Sequence, residues 1–191
     1  LDSLPLYVFA TLDTKIKALQ AQGVDVIKLD IGSPDGPPPD FVVNALAESA
    51  ANPTKHGYAG YVGTPRLRRA MVDYYRSRFW VELDETSEVL RLLGSKEGIA
   101  NMALAWLDPG DLALIPDPGY PTYAASVAMA GAQAYCMPLT QANGWLPDLA
   151  AIPPAVANAA RLMWLNYPNN PTGATGPLAF FFYALCARVT M

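Results

Sequence analysis

The chain has 191 residues, of which 52% are hydrophobic and 16% charged, so it can bury a core and is not a disordered sequence. A formal net charge of −4 argues against a surface that binds nucleic acid or an anionic membrane. His56 is the only histidine, and Cys136 and Cys186 have no CxxC spacing. These counts argue against a metal site or a Ser-His-Asp triad and favour a reduced, cytoplasmic protein.

No apolar run reaches the roughly 18 residues that a membrane-spanning helix needs, so the sequence predicts no membrane segment. The opening stretch LDSLPLYVFA lacks the basic flank and cleavage pattern of a signal peptide. Because the first residue is Leu1 and not Met, we expect a chain trimmed at its amino terminus.

The amino-terminal part of the chain predicts one strand and several helices joined by irregular loops. VDVIKLDI, residues 24–31, alternates and is rich in β-branched residues, which is typical of a strand. The GSPDGPPPD stretch that follows is too rich in proline for a helix or a central strand. The predicted helices are 9–22, a helix capped by Asp40 that continues to Leu46, and 65–79, capped by Thr64.

From residue 89 onward, strand and helix patterns alternate. Alternation of this kind requires crossover connections, so it predicts an α/β fold with three layers (αβα) and a mainly parallel sheet. An irregular amino-terminal segment precedes it. The elements predicted in chain order are strand VLRLLG (89–94), helix SKEGIANMALAWL (95–107), strand LALIP (112–116), helix TYAASVAMAG (122–131), strand QAYCMPL (133–139), the weak helical stretch 146–160 and strand RLMWLN (161–166).

Three unusual turns follow predicted strands: GSKEG at 94–98, DPGYPTY at 117–123 and NYPNNPTG at 166–173. Ligands of open parallel sheets bind beyond the carboxyl ends of the strands. We therefore expect the three turns to gather along one rim of the sheet and to form the binding site.

Each turn offers one kind of chemistry to a ligand. Ser95 and Lys96 open a helix, where free N–H groups, a hydroxyl and an ammonium suit a phosphate monoester. Tyr120, held between prolines, can lie flat on a planar ligand, and the amide of Asn170 can donate to an anionic oxygen. Neither a P-loop nor a GxGxxG fingerprint is present, which argues against a Rossmann-like nucleotide binder.

Plainer interpretations of the same residues stay open at this point. Ser95 can be an ordinary helix cap with Glu97 in the first turn, and Tyr120 can be a packing residue. Asn169 and Asn166 are expected to serve the turn itself through local bonds to the backbone.

With its three turn motifs in this order, the chain resembles the class I/II aminotransferases, which are pyridoxal-phosphate enzymes of fold type I. The motifs are GSKEG, DPGYPTY and NYPNNPTG. The stretches LPLYVFA, LDIGSPD and HGYAGYVGTPRLRRA match the amino-terminal half of the same family, in its aspartate and LL-diaminopimelate branch. The resemblance runs from Leu4 to Gly173. It implies an amino-terminal arm with part of a small domain at 1–40, and part of the cofactor-binding large domain at 41–191.

The resemblance also implies roles for residues of the three turns. Ser95 and Lys96 would hold the phosphate of pyridoxal 5′-phosphate, and Tyr120 would stack on its ring. Asn170 would bind the phenolic oxygen of the ring and meet the substrate carboxylate. The implied substrates are an amino acid and a 2-oxo acid.

Further roles are implied outside those turns. Tyr58 matches a tyrosine that reaches the cofactor phosphate of the neighbouring subunit, which implies a homodimer. Gly32 matches a glycine whose backbone contacts substrate, and Tyr7 matches a tyrosine near the substrate. For Tyr7 and Tyr61, simple packing is the competing interpretation.

The catalytic lysine of the family, which forms the Schiff base with the cofactor, follows the NPTG turn, as do the ring-nitrogen carboxylate and the substrate arginine. Residues 173–191 contain no Lys, Asp or Glu, and Arg188 is the one basic residue there. Lys96 lies at the phosphate end of the implied site and cannot replace that lysine. We therefore expect an amino-terminal half without a catalytic residue, inactive alone, from a truncated, frame-shifted or deliberately shortened sequence.

Three functions remain as hypotheses. The first is an aminotransferase, present as this half. The second is a non-catalytic remnant that binds pyridoxal phosphate weakly or not at all. The third is a C–S lyase or a related enzyme on the same scaffold, because the fold alone does not fix the reaction.

Overall fold

The structure, a computed structural model of the chain, describes residues 8–187. Within this range the chain divides into two compact units, one ending at Arg91 and one beginning at Leu92. Tyr7 and Arg188 lie outside the described residues.

The first unit is helical, and its last helix begins where the sequence predicts it. The Leu67 N–H donates to the hydroxyl of Thr64 at 3.3 Å, and Pro65 fills the first turn, where its missing N–H costs nothing. Trp80 adopts a left-handed conformation, with φ of 54°, and ends the helix. The helices of this unit are α1 (Val8–Ala21), α2 (Asp40–Ala51) and α3 (Pro65–Phe79), with a short 3-10 turn at Pro53–Lys55.

Two strands predicted from the sequence, 24–31 and 89–94, are wrong. Neither segment pairs with another strand in the part of the chain that the structure describes. Ile27 and Leu29 are 82% and 92% exposed, so the alternating pattern buries no face here. An extended segment becomes a strand only where a neighbour supplies the ladder and covers its apolar side. The second helix also differs from its prediction, because Pro39 occupies the cap position, Asp40 is the first helical residue and the helix continues to Ala51.

The second unit alternates helix and strand, as the sequence predicts. Its elements are α4 (Ser95–Trp106), β1 (Leu112–Asp117), α5 (Thr122–Met129), β2 (Gln133–Pro138), α6 (Pro154–Ala159), β3 (Ala160–Met163) and α7 (Leu178–Ala187), with 3-10 turns at Gln141–Asn143 and Leu149–Ala151. The three strands form one parallel sheet in the order β2-β1-β3. Parallel neighbours place the carboxyl ends of β1 and β3 at the same rim.

Alternate side chains of β1 supply the two cores of this unit. Ala113 and Ile115 face α4 and α5, where they pack with Tyr123 and Val127. Leu114 faces the opposite layer and packs there in a second buried cluster, with Met137, Leu149, Ile152 and Ala184. Helices therefore cover both faces of a parallel sheet, which confirms the predicted three-layer α/β fold.

Candidate cofactor site

The amino-terminal end of α4 carries no side-chain cap. Gly94 takes φ of 93° and lets the chain turn into the helix, a conformation that glycine adopts without strain. Ser95 is the first helical residue and not the cap, and no side chain caps this end. The carboxylate of Glu97 instead accepts from the N–H of Leu93, upstream of the helix. The interpretation of Ser95 as an ordinary helix cap is therefore wrong, and its hydroxyl lies beside the positive end of the helix dipole.

Tyr120 lies on the turn that follows β1, close to the start of α4. Its ring is half-buried, and the ammonium nitrogen of Lys96 lies 5.9 Å from the ring centroid. A Cβ on Gly119 would lie 2.4 Å from the carbonyl oxygen of Pro116, so only glycine fits this close turn. The backbone carbonyl of Tyr120 accepts from the N–H of Tyr123 at 3.0 Å, which ties the turn to α5.

A chain of aromatic rings connects this turn to the end of β3. Tyr120 packs edge-on against Tyr123, with ring centroids 6.0 Å apart, and Tyr123 stacks on Trp164 at 5.3 Å and 20°. The backbone N–H of Trp164 donates to Leu114 of β1 at 2.9 Å. Burial, and then the nearby Tyr120, raise the pKa of Tyr123 above its ordinary value, so its hydroxyl stays neutral in the physiological range.

The NPTG turn is held together by Asn169. This side chain is buried, and its amide nitrogen donates to the hydroxyl of Thr172 at 2.9 Å. Its backbone also closes the turn, since Asn169 N–H donates to Ala174 and its carbonyl accepts from Gly173. The prediction that Asn169 serves the turn is thus confirmed, whereas the side chain of Asn166 makes no such bond within residues 8–187.

The structure places four predicted site residues in the same unit, on turns next to the sheet. Lys96 and Tyr120 contact each other, and Ser95 is adjacent to Lys96 in the first turn of α4. Asn170 is exposed at the turn after β3, and no hydrogen bond or ring contact joins it to these three residues in the described chain.

The other predicted residues lie elsewhere. Tyr58 and Gly32 are exposed residues of the unit that ends at Arg91. Tyr61, for which packing was the competing interpretation, is also exposed, so packing does not explain it within that unit. Tyr7 lies outside the described residues.

Sequence reasoning missed Trp164 as a neighbour of the site. Its indole nitrogen is buried and has no hydrogen-bond partner among the described residues. A small cavity of about 190 Å³ lies beside the same rings, with Tyr120, Tyr123, Asp117 and Cys136 in its wall. The one hint in the sequence was a tryptophan within a short apolar predicted strand, and this pattern is equally typical of core packing.

Among residues 8–187, no three His, Cys, Asp or Glu side chains are grouped so that they could hold a metal ion. No helix in that range is both long and apolar enough to cross a membrane.

Comparison with known proteins identifies the class to which this fold and these turns belong. The sequence model of the family "Aminotransferase class I and II" matches residues 24–181. The chain therefore belongs to the class I and II aminotransferase family.

Individual relatives extend this result. LL-diaminopimelate aminotransferase of Moorella thermoacetica is 51% identical over 93% of this chain and 46% of its own. The protein of the same name from Desulforudis audaxviator is 50% identical over 94% of this chain and 46% of its own. Among solved structures, apo-BacF of Bacillus subtilis superposes with a TM-score of 0.88 at 41% identity, covering 96% of this chain and 47% of its own. The chain thus spans about half the length of the relatives it matches.

Proposed function

We propose that this chain is the cofactor-binding half of a pyridoxal-phosphate-dependent aminotransferase. The observation that supports the proposal most directly is the pairing of Lys96 with the ring of Tyr120 at the uncapped start of α4. A cation, a hydroxyl and the positive end of a helix dipole suit a phosphate, and the adjacent ring suits a flat heterocycle. Membership of the family makes pyridoxal 5′-phosphate the ligand that combines both features.

Different residues of the second unit would bind different parts of the cofactor. Ser95 and the first N–H groups of α4 would hold the phosphate, with Lys96 adding positive charge. Tyr120 would support one face of the ring, and the amide of Asn170 would donate to its phenolic oxygen. When bound, the cofactor supplies the electron sink for bonds broken at the amino-acid α-carbon.

The amino-terminal unit would contribute to substrate binding and assembly. We propose that Gly32 and Tyr7 lie near the substrate and that Tyr58 reaches the phosphate site of a second subunit in a cytoplasmic homodimer. The division into an arm with part of a small domain at 1–40 and a partial large domain at 41–191 belongs to the same proposal.

Turnover would require groups that residues 173–191 do not supply. This tail contains no Lys, Asp or Glu, so it offers no amine for covalent attachment of the cofactor and no carboxylate for the ring nitrogen. We therefore propose that the chain is inactive alone and that the whole enzyme moves an amino group from an amino acid to a 2-oxo acid. The names of the relatives make LL-diaminopimelate the first donor to test.

The test is to join residues 1–173 to the matching carboxyl-terminal half of the Moorella thermoacetica relative. Amino transfer from LL-diaminopimelate, and from a panel of other amino acids, to 2-oxoglutarate is then measured. We expect transfer by the joined protein and none by the 191-residue chain. A joined protein that cleaves C–S bonds, or that has no activity while still folding, would contradict the proposal.

A non-catalytic remnant is the second candidate, and the composition of the tail favours it for the chain by itself. The two candidates differ in cofactor binding. A remnant that has lost its function would bind pyridoxal phosphate no better than pyridoxal, because the phosphate contacts would no longer be maintained.

A further inference from the structure

The turn that carries Asn170 is closed by bonds within itself. The N–H of Asn169 donates to the carbonyl of Ala174 at 2.8 Å, and the N–H of Gly173 donates to the carbonyl of Asn169 at 2.7 Å. The hydroxyl of Thr172 accepts from the side-chain amide of Asn169. Each of these bonds joins one residue of the turn to another. They fix the shape of the turn, but they do not fix the place of Asn170 relative to the sheet.

Tyr167, at the start of the same turn, connects it to a part of the unit that is remote in sequence. Its hydroxyl donates to the backbone carbonyl of Trp145 at 2.9 Å, although the two residues are 22 positions apart. Burial raises the pKa of Tyr167, so its hydroxyl keeps its proton and remains a donor at neutral pH. The bond therefore ties the turn after β3 to the loop after β2.

The acceptor of this bond lies on a tight turn of its own. Trp145 has φ of 62°, a left-handed conformation that is uncommon for a residue other than glycine. Its N–H donates to the carbonyl of Thr140 at 2.8 Å, and the N–H of Gly144 donates to Gln141 at 3.0 Å. A residue keeps such a conformation where the surrounding structure determines it. The carbonyl of Trp145 is therefore a fixed point of attachment for Tyr167.

The ring of Tyr167 contacts the chain that leaves the turn. Phe180 and Phe181 of α7 each lie edge-on to this ring, with centroids 5.8 Å away. A Cβ on Gly176 would lie 3.4 Å from Cγ of Tyr167 and 3.2 Å from the ring of Phe181, so the backbone passes close to both rings. Phe180 also packs against the buried cluster that contains Leu114. One side chain thus joins the start of the turn, the helix after it and the core.

We propose that Tyr167 is a positioning residue for Asn170: its ring and hydroxyl hold the turn in one place at the rim, so that the exposed amide of Asn170 meets its ligand in one orientation. Pro168 and Pro171 have a fixed φ, so a displacement of Tyr167 is passed on to Asn170. An amide that is held in place before binding loses less freedom when it binds. The inference rests on the proposed function, because it takes the phenolic oxygen of the cofactor as the group that Asn170 binds.

A purely structural role for Tyr167 is the competing interpretation, because packed rings also stabilise a fold. The two roles differ in what the loss of the hydroxyl does to ligand preference. A structural residue would change the affinity for all ligands of the site by the same factor. A positioning residue for Asn170 would change the preference for a ligand that carries the phenolic oxygen over one that lacks it.

The experiment compares pyridoxamine phosphate with its 3-deoxy analogue, which lacks the phenolic oxygen, by calorimetric titration of the 191-residue chain. Neither ligand has an aldehyde, so neither forms a Schiff base with a lysine. We expect the original chain to prefer pyridoxamine phosphate by about tenfold, and Asn170→Ala to lose this preference. Tyr167→Phe keeps the ring and should lower the preference by about threefold or more. Tyr135→Phe is the matched control, because it removes the hydroxyl of another half-buried tyrosine of the unit, and it should keep the full preference.

Amide hydrogen exchange at Gly173, measured without ligand, tests the same anchor when no cofactor is bound. We expect exchange about threefold or more faster in Tyr167→Phe than in Tyr135→Phe. An original chain that binds neither ligand, or binds both equally, would count against the proposed role of Asn170, and the exchange rates would then decide the inference by themselves. A full preference in Tyr167→Phe, an equal loss of preference in Tyr135→Phe, or equal exchange rates in the two variants would overturn it.

Discussion

The ammonium nitrogen of Lys96 lies 5.9 Å from the centre of the Tyr120 ring, although 23 residues of chain separate them. The contact joins the start of α4 to the turn after β1, and Tyr123 and Trp164 extend it to the end of β3. A positive charge and an aromatic face therefore meet at one rim of the sheet, which is the arrangement that a phosphorylated ring compound would use.

Replacement of Tyr120 tests the role of its ring. We expect Tyr120→Leu to weaken binding of pyridoxal phosphate by about two- to tenfold, since aromatic stacking contributes roughly 0.5–1.5 kcal/mol. Tyr120→Phe keeps the ring and should bind nearly as well as the original. Fluorescence titration with the cofactor measures both. If the phenylalanine variant lost as much affinity as the leucine variant, the hydroxyl and not the ring face would be the important group.

The two asparagines of the NPTG turn are expected to have different roles, one in the stability of the fold and the other in cofactor binding. Asn169 is 3% exposed and donates to Thr172, so Asn169→Ala should lower the free energy of unfolding by about 1–3 kcal/mol. Asn170 is exposed, so Asn170→Ala should leave stability unchanged and weaken cofactor binding. Urea unfolding of both variants and the titration above make the comparison. Equal stability of the two variants would contradict this division of roles.

Gly119 should not accept a side chain. In Gly119→Ala the added Cβ would lie 2.4 Å from a backbone oxygen, so the turn that carries Tyr120 must shift. We expect a loss of about 1–3 kcal/mol in the free energy of unfolding and weaker cofactor binding. Gly36→Ala is the control, because a Cβ there meets nothing within 4 Å. A Gly119→Ala protein as stable as the control would show that the turn tolerates a side chain at this position.

The thiol of Cys136 should react slowly at neutral pH. Desolvation by the surrounding chain, and then the negative charge of Asp117, raise its pKa above the ordinary value. A raised pKa means less thiolate at a given pH, so alkylation should accelerate only at higher pH than for a free cysteine. Asp117→Asn removes the charge and should move the profile to lower pH. The rate of iodoacetamide labelling, in a Cys186→Ser background, measures the shift. An unchanged profile would mean that Asp117 does not act on this thiol.

Local pattern was sufficient for α4, β1, α5, β2 and β3 of the second unit, but it did not predict α7. β1 and β2 are short apolar runs bounded by glycine and proline turns, and each finds its partner within the same unit. The segments 24–31 and 89–94 carry similar residues but pair with nothing in the described chain. The periodicity of a segment indicates the secondary structure that it prefers. A β-ladder also needs a second strand, and the sequence of one segment does not encode that partner.

The candidate site was predictable in its residue types but not in its contacts. Turn chemistry singled out Ser95, Tyr120 and Asn170, because glycine, proline and asparagine at strand ends have few uses other than tight turns and ligand contacts. Gly94 rather than Ser95 occupies the cap position because of the backbone conformation at Gly94, which the sequence pattern did not reveal. The stacking of Tyr123 on Trp164 depends on β1 and β3 being neighbours, which is a property of the sheet order.

Equilibrium dialysis with two ligands that differ in one group tests the central claim, which is that the start of α4 binds the phosphate of the cofactor. Pyridoxal phosphate and pyridoxal are compared on the original chain and on Ser95→Ala. We predict that the original chain prefers the phosphorylated ligand by about tenfold or more, and that Ser95→Ala loses most of this preference. Equal affinity of the original chain for the two ligands would contradict the account.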